Sequence, residues 1–273
     1  AVLFRLVPEA LTTARRAHAD ARAGAPLPSV QSERSSGPAA KPASARGRPL
    51  RVLFVGNSHT FANDMPHTLL QLAAAAAEAR PLEAALEVRG GATLADHLAG
   101  ARVRPRLAEG PWDYVVLQEQ QQRPTLQAPQ LEREFFSPVR TLDVLIRAAG
   151  SRSVLFMTPG RLDGDRPYVR DDTYERMQER SRVSHLRLGR ELGVSVAPVG
   201  TAWALAHRER PRQPLWAADR YHPSPQGSYL TACVLYAVLY GRSALDNPFT
   251  AGLSNTDAAF LQRTADAAVA SER

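Results

Sequence analysis

The residues best suited to chemistry are a serine at the end of an apolar run and an aspartate and histidine three positions apart. Val52-Leu53-Phe54-Val55 leads into Gly56-Asn57-Ser58, so a buried strand would end by presenting a hydroxyl. Serine is a weak nucleophile until a base accepts its proton, and that base needs a third group to orient it. The chain holds seven histidines. His18 lies in an N-terminal arm. His59 adjoins Ser58, and neighbouring side chains diverge. His97, His185 and His207 fall in helical patterns, where helix surface or core accounts for them. His222 differs, standing in Asp219-Arg220-Tyr221-His222-Pro223-Ser224-Pro225 before a long apolar helix. Pro223 keeps this loop from turning helical early, Ser224 can cap the helix, and Pro225 suits its first turn. The loop thereby holds Asp219 and His222 on one frame. Asp64-Met65-Pro66-His67 repeats the spacing. There Asp64 reads as a helix N-cap and His67 falls in the first helical turn.

Such groups need a scaffold. From Arg51 onward, short β-rich runs alternate with longer helical ones. The strand candidates are Val52–Val55, Ala84–Val88, Tyr114–Leu117, Val154–Met157 and Val194–Ala197. The helical stretches are Met65–Ala79, Thr93–Arg102, Gln130–Ala149, Asp172–Leu192, Pro225–Tyr240 and Asp257–Ala268. Strands alternating with helices in this way form a parallel sheet covered on both faces. Ligands of such sheets bind at the carboxyl ends of the strands, where Gly56-Asn57-Ser58 stands. There is no internal repeat.

The bulk composition narrows the function. The 273 residues are 44% hydrophobic, enough for a sizeable core, and no apolar run approaches a membrane span. A single cysteine, Cys233, excludes an internal disulfide framework and a cysteine-based zinc site. It sits in an apolar helical pattern and reads as core. The net charge is +7, of which +5 belongs to residues 1–50. Lys41 is the only lysine, against 33 arginines, so the basicity looks like a coding bias. No zinc-finger spacing, aromatic RNA-binding motif or basic recognition helix accompanies it, which disfavours nucleic acid as partner. Residues 24–49 are rich in Ala, Pro, Ser, Gly and Arg, so residues 1–50 read as a linker or disordered arm ahead of a domain over 51–273. The start lacks Met. An extracytoplasmic location is favoured if a targeting segment was removed before Ala1; a cytoplasmic one stays open.

The combination resembles the SGNH (GDSL-like) hydrolase superfamily. Val52 to Thr60 matches its first block, in which a strand ends at Gly-Asp-Ser or Gly-Asn-Ser. Val88-Arg89-Gly90-Gly91-Ala92-Thr93-Leu94 resembles the second, and Trp112 to Gln120 occupies the third. Asp219-x-x-His222 matches the fifth. The resemblance is more specific to a bacterial branch with Gly-Asn-Ser, a strand ending in Leu-Gln, Pro-Val-Gly-x-Ala-Trp (Pro198 to Trp203) and His-Pro-Ser-x-x-Gly-Ser-Tyr (His222 to Tyr229). It spans roughly Arg51 to Gly241.

The resemblance implies a three-layer α/β/α sandwich with a flavodoxin-like, parallel five-stranded sheet. It also implies ester hydrolysis through an acyl-enzyme, with Ser58 as nucleophile, His222 as base and Asp219 as its orienting carboxylate. The oxyanion would be met by the N–H groups of Ser58 and Gly91. The family's third donor is an asparagine that this chain lacks. Gln118 at the strand end is the first candidate to replace it and Gln120 the second. Asn57, where many relatives have Asp, should preserve the turn's hydrogen bonding. No metal or organic cofactor is required. The expected substrate is a short-chain, acetyl-type ester of a carbohydrate or other polar molecule. Arg161, Arg166 and Arg170, in the loop after the fourth strand, are candidates to meet a polar or anionic group. The alternatives are a non-catalytic binding module on the same fold and a lipase or thioesterase of the same type. A flavin or nucleotide binder would want a glycine-rich phosphate loop after the first strand, and Gly-Asn-Ser-His-Thr-Phe-Ala-Asn lacks it.

Overall fold

The computed structural model describes residues 47–78 and 80–273. The arm expected over residues 1–50 therefore lies outside the described residues as far as 46. Its last positions belong to the domain: Arg48 pairs with Asp113, and Leu50 opens the first strand.

Five strands form one parallel sheet: β1 (Leu50–Gly56), β2 (Leu82–Val88), β3 (Tyr114–Gln118), β4 (Arg152–Phe156) and β5 (Ser195–Ala197). Their order is β2-β1-β3-β4-β5. The chain thus steps to one side of β1 and then returns to the other, which leaves a crevice between the carboxyl ends of β1 and β3. Register brings Val55 opposite Leu117 and Gln118 opposite Phe156. β1 is apolar on both faces because both are covered. Val52 and Phe54 pack into one core, Leu53 and Val55 into the other.

Helices supply the two outer layers. After β1 come a short turn of helix, α1 (Ser58–Phe61), and then α2 (Met65–Ala75). After β2 come α3 (Leu94–Ala99) and α4 (Val103–Ala108). α5 (Ser137–Ala148) links β3 to β4, and α6 (Tyr174–Leu192) links β4 to β5. The chain ends with α7 (Val199–Glu209), α8 (Pro225–Tyr240) and α9 (Asn255–Ser271). α2, α7, α8 and α9 share the core built on Trp203, Tyr229 and Phe260, in which Cys233 is buried. α3, α4 and α5 close the opposite core around Phe135, Leu142 and Ile146. Among the described residues no helix is long and apolar enough to cross a membrane.

The three-layer architecture is the one expected, with differences in single elements: α3 ends at Ala99 rather than Arg102, and a π-helical turn over Glu132–Phe136 precedes α5. α2 stops at Ala75 rather than Ala79, because Ala77 turns left-handed with φ 52°. The sequence does not predict α4, and it predicts α7 only as the helical pattern around His207. Neither begins with a side-chain cap, and Pro105 and Gly200 interrupt their helical composition.

Candidate active site

β1 delivers its last residue into the crevice, and the chain turns directly into α1. Asn57 caps that turn. Its side-chain oxygen accepts the His59 N–H, and its side-chain nitrogen donates to Ala92 O at 2.9 Å. The second bond uses a hydrogen that an aspartate lacks, so Asn57 does more than preserve the turn. It fastens the serine to the loop that carries Gly91. Ser58 follows as the first residue of the helical turn and is half-buried.

The partner of Ser58 arrives from the far end of the chain. The loop before α8 is braced by a short antiparallel bridge: Ala217 N–H donates to His222 O and Ser224 N–H to Leu215 O, both at 2.8 Å. Ser224 caps α8 through the Gly227 N–H, and Pro225 fills the first turn, as expected. This frame sets His222 Nε2 at 2.9 Å from Ser58 Oγ. Asp219 Oδ2 lies 2.6 Å from His222 Nδ1, while Asp219 Oδ1 accepts the N–H groups of Tyr221 and His222. For Asp219, burial works upward. It is outweighed by hydrogen bonds from the His222 ring, then from the His222 and Tyr221 backbone, so the pKa drops to about 2. An ionised Asp219 requires the proton on Nδ1, which leaves Nε2 free to accept the Ser58 hydrogen.

The other histidines are placed elsewhere. His67 sits on α2 beside Gln71, at 3.2 Å. Asp64 stands at the N-cap position as expected, but φ 51° prevents its side chain from capping. His97 is buried and donates to Gly56 O at 2.8 Å, which pins the end of β1. His59 is buried and stacks on His222, with ring centroids 5.6 Å apart. Burial, then the nearby His222, lowers its pKa to about 3, so it packs against the imidazole as a neutral ring. Its supporting role was not legible in the sequence.

Two of the expected oxyanion donors are free. Among the described residues nothing accepts the N–H of Ser58 or of Gly91. Gly91 is exposed and has φ 68°, a conformation that glycine adopts without strain. Gln118 corrects the expectation made for it. Its side chain is buried, its oxygen accepts the Asn57 N–H at 2.8 Å and the Thr60 hydroxyl at 3.0 Å, and its nitrogen donates to Glu119 O and Thr158. The amide is spent on holding the serine turn. Gln120 stays half-buried at the crevice, with Nε2 bonded to Gln122.

Glu119, between them, is buried. Its carboxyl receives the N–H of Leu94 at the start of α3, at 3.2 Å, and that of Gln120 at 2.5 Å. It therefore ties the Gly91 loop to the end of β3. Burial, only partly offset by those bonds, pushes its pKa up to about 8 from an ordinary 4.5. The native protein keeps a proton that the unfolded chain releases between those values. Stability from this group is thus complete below about 4.5 and is lost as pH rises toward about 8. Glu119→Gln should gain Tm on the parent steadily across that window. A difference independent of pH would mean that the native carboxyl is already ionised.

Comparison with known proteins bears on the fold that carries this site. No family model and no curated protein matches the chain. Among solved structures, a protein of Slackia heliotrinireducens assigned to the SGNH hydrolases is 32% identical, with a TM-score of 0.57 over 69% of this chain and 97% of that one. A DUF4886 family protein from Bacteroides uniformis is 17% identical, with a TM-score of 0.62 over 81% of this chain and 95% of its own. The acetylxylan esterase Axe2 of Geobacillus stearothermophilus is also 17% identical, with a TM-score of 0.54 over 73% and 98%. At that identity the last two share the fold alone.

Proposed function

Because the chain belongs to the SGNH hydrolases, we propose that it is a serine ester hydrolase with Ser58 as nucleophile, His222 as general base and Asp219 as the carboxylate that orients it. The observation that carries this reading is the unbroken line from Ser58 Oγ to His222 Nε2 at 2.9 Å and from His222 Nδ1 to Asp219 at 2.6 Å.

In the reaction, Ser58 Oγ attacks the ester carbonyl carbon while His222 Nε2 takes its proton. The negative charge that develops on the carbonyl oxygen is met by the N–H groups of Ser58 and Gly91, with the amide of Gln120 as third donor in place of Gln118. Donors preset for that charge carry a large share of the rate, with one such donor typically contributing about 10²–10³-fold. The tetrahedral intermediate collapses, the alkoxide leaves with the proton from His222, and an acyl-serine remains. Water then attacks that ester as His222 Nε2 takes its proton, and His222 returns this proton to Ser58 Oγ as the acid leaves. Asp219 holds the imidazolium throughout.

The substrate is a short-chain, acetyl-type ester of a carbohydrate or other polar molecule. Polar side chains around the crevice support this: Gln120, Gln122, Arg161 and Tyr221 lie at the carboxyl ends of β3 and β4 and in the His222 loop.

Intact-mass measurement after fluorophosphonate treatment tests the reading. The parent should gain one adduct, Ser58→Ala none, and His222→Ala should react much more slowly. A folded parent that takes no adduct would sink the hydrolase mechanism and leave a binding module on this fold.

A further inference from the structure

We propose that Arg161 forms a carboxylate-binding subsite beside the reaction centre, so that the preferred ester carries an anionic group on its alcohol part. The inference rests on the esterase reading and narrows its substrate class.

The loop after β4 is fastened to the loop that holds His222. Leu162 N–H donates to Arg220 O at 3.1 Å, and Trp216 donates to Gly160 O at 3.0 Å. That fixes Arg161 against Tyr221, with the guanidinium carbon 4.9 Å from the ring centroid. The Tyr221 ring in turn lies 4.3 Å from that of His222. A cation is therefore held one aromatic ring away from the proposed base.

This cation pairs with the buried Asp165 and lies against Tyr221, yet it has donors to spare. A guanidinium has five N–H donors. For Arg161, one terminal nitrogen lies 3.5 Å from Asp165 Oδ1, at the limit of a hydrogen bond. That oxygen already accepts the Gln122 amide at 2.7 Å. The Arg161 Nε is buried and finds no acceptor among the described residues. Other arginines of the region are forked onto a carboxylate or exposed to solvent, as Arg166 and Arg170 are. Arg220 forks onto Asp163, Arg180 onto Asp172, and Arg166 donates to Asp172 O. The Arg170 side chain is 96% exposed.

Unmet donors of a partly buried charged group are costly to the free protein and favour any ligand that satisfies them. The planar guanidinium fork matches a carboxylate, with two parallel N–H···O bonds. Gln120 and Gln122 are linked to each other, and Gln122 shares Asp165 with Arg161, so neutral amides suited to hydroxyl groups stand beside the cation. The site thus matches an acylated sugar acid better than an acylated neutral sugar.

The test compares two matched esters, a mono-O-acetylated methyl glucuronoside and the corresponding glucoside, with the full chain. The parent should favour the carboxylate ester in kcat/KM by about tenfold or more, and added salt should shrink that ratio. In Arg161→Met the ratio should fall to about one, and Arg161→Lys should restore part of it. Arg170→Met should leave it at the parent's value. A parent without preference, or a preference that survives Arg161→Met, overturns the proposal. The parent's ratio and its salt dependence decide the matter even where a variant fails to fold. Hydrolysis of neither ester by a parent that takes the fluorophosphonate adduct overturns this substrate class alone. Absence of the adduct overturns the esterase reading beneath it.

Discussion

A His222→Ala variant is expected to hydrolyse a small acetyl ester at least about 10³-fold more slowly than the parent in kcat, while Tm stays close to the parent's. General acid–base transfer alone contributes about 10²–10⁴, and in the proposed mechanism His222 acts in both half-reactions. Among the described residues, its ring is also the only hydrogen-bonded link from Asp219 to Ser58. Removing Ser58 as well should therefore add little, since members of such a relay act as one unit. Asp219→Asn should cost about as much as the histidine, because an amide at 2.6 Å can force the imidazole into the tautomer that cannot accept from serine. His67→Ala is the control. His67 stands on α2 with Gln71 as its partner, so its loss should change kcat by less than about twofold. The reverse result, an inactive His67→Ala beside an active His222→Ala, would move the base to the second Asp-x-x-His and undo the assignment.

Gly227→Ala should be among the most damaging single substitutions for stability. A Cβ there would overlap the carbonyl oxygen of Leu215 and fall 2.5 Å from Trp203 Cζ2. One neighbour is backbone and the other a fully buried ring, so neither gives way cheaply. Overpacking of a well-filled core costs about 1–3 kcal/mol and more where backbone must move. At about 2–4 °C per kcal/mol for a domain of this size, the fall in Tm should be on the order of 6–12 °C. Activity should suffer too, since Leu215 O receives the Ser224 N–H that braces the His222 loop. Gly90→Ala provides the contrast: nothing lies within 4 Å of a Cβ at that position, and its Tm should match the parent's within about 2 °C. Equal Tm values for the two variants would refute the packing argument.

These residues also show how much of the molecule was legible in its sequence. The pattern of Val52–Val55 marks a strand buried on both faces, and Ser224 with Pro225 marks the start of α8. Both signals are local and strong. The fold class followed from the alternation of such segments, and Ser58, Asp219 and His222 could be picked out as a set. Gln118 takes a place that its own strand does not predict, for a non-local reason. Its side chain occupies the space that Gly56 leaves on the neighbouring strand, where a Cβ would sit 2.7 Å from Gln118 Oε1. No reading of β3 alone shows what β1 leaves open. α2 was drawn too long because alanine favours helix, yet the chain has to turn at Ala77 to enter β2. Glu119 and His59 gain their roles from burial, which charge and type do not announce.

Ser58 and its hydrogen-bond partner His222 stand 164 positions apart, and synthesis reaches them in that order. A chain still leaving the ribosome carries the hydroxyl of Ser58 long before it carries the imidazole. The loop ahead of α8 then leans both on Asn63, just after the serine, and on Gly160 and Leu162 after β4. On the proposed mechanism, turnover needs both segments docked and should be silent in forms where the His222 loop is not yet in place. For this protein, regain of hydrolysis during refolding would time the last docking step rather than the first collapse.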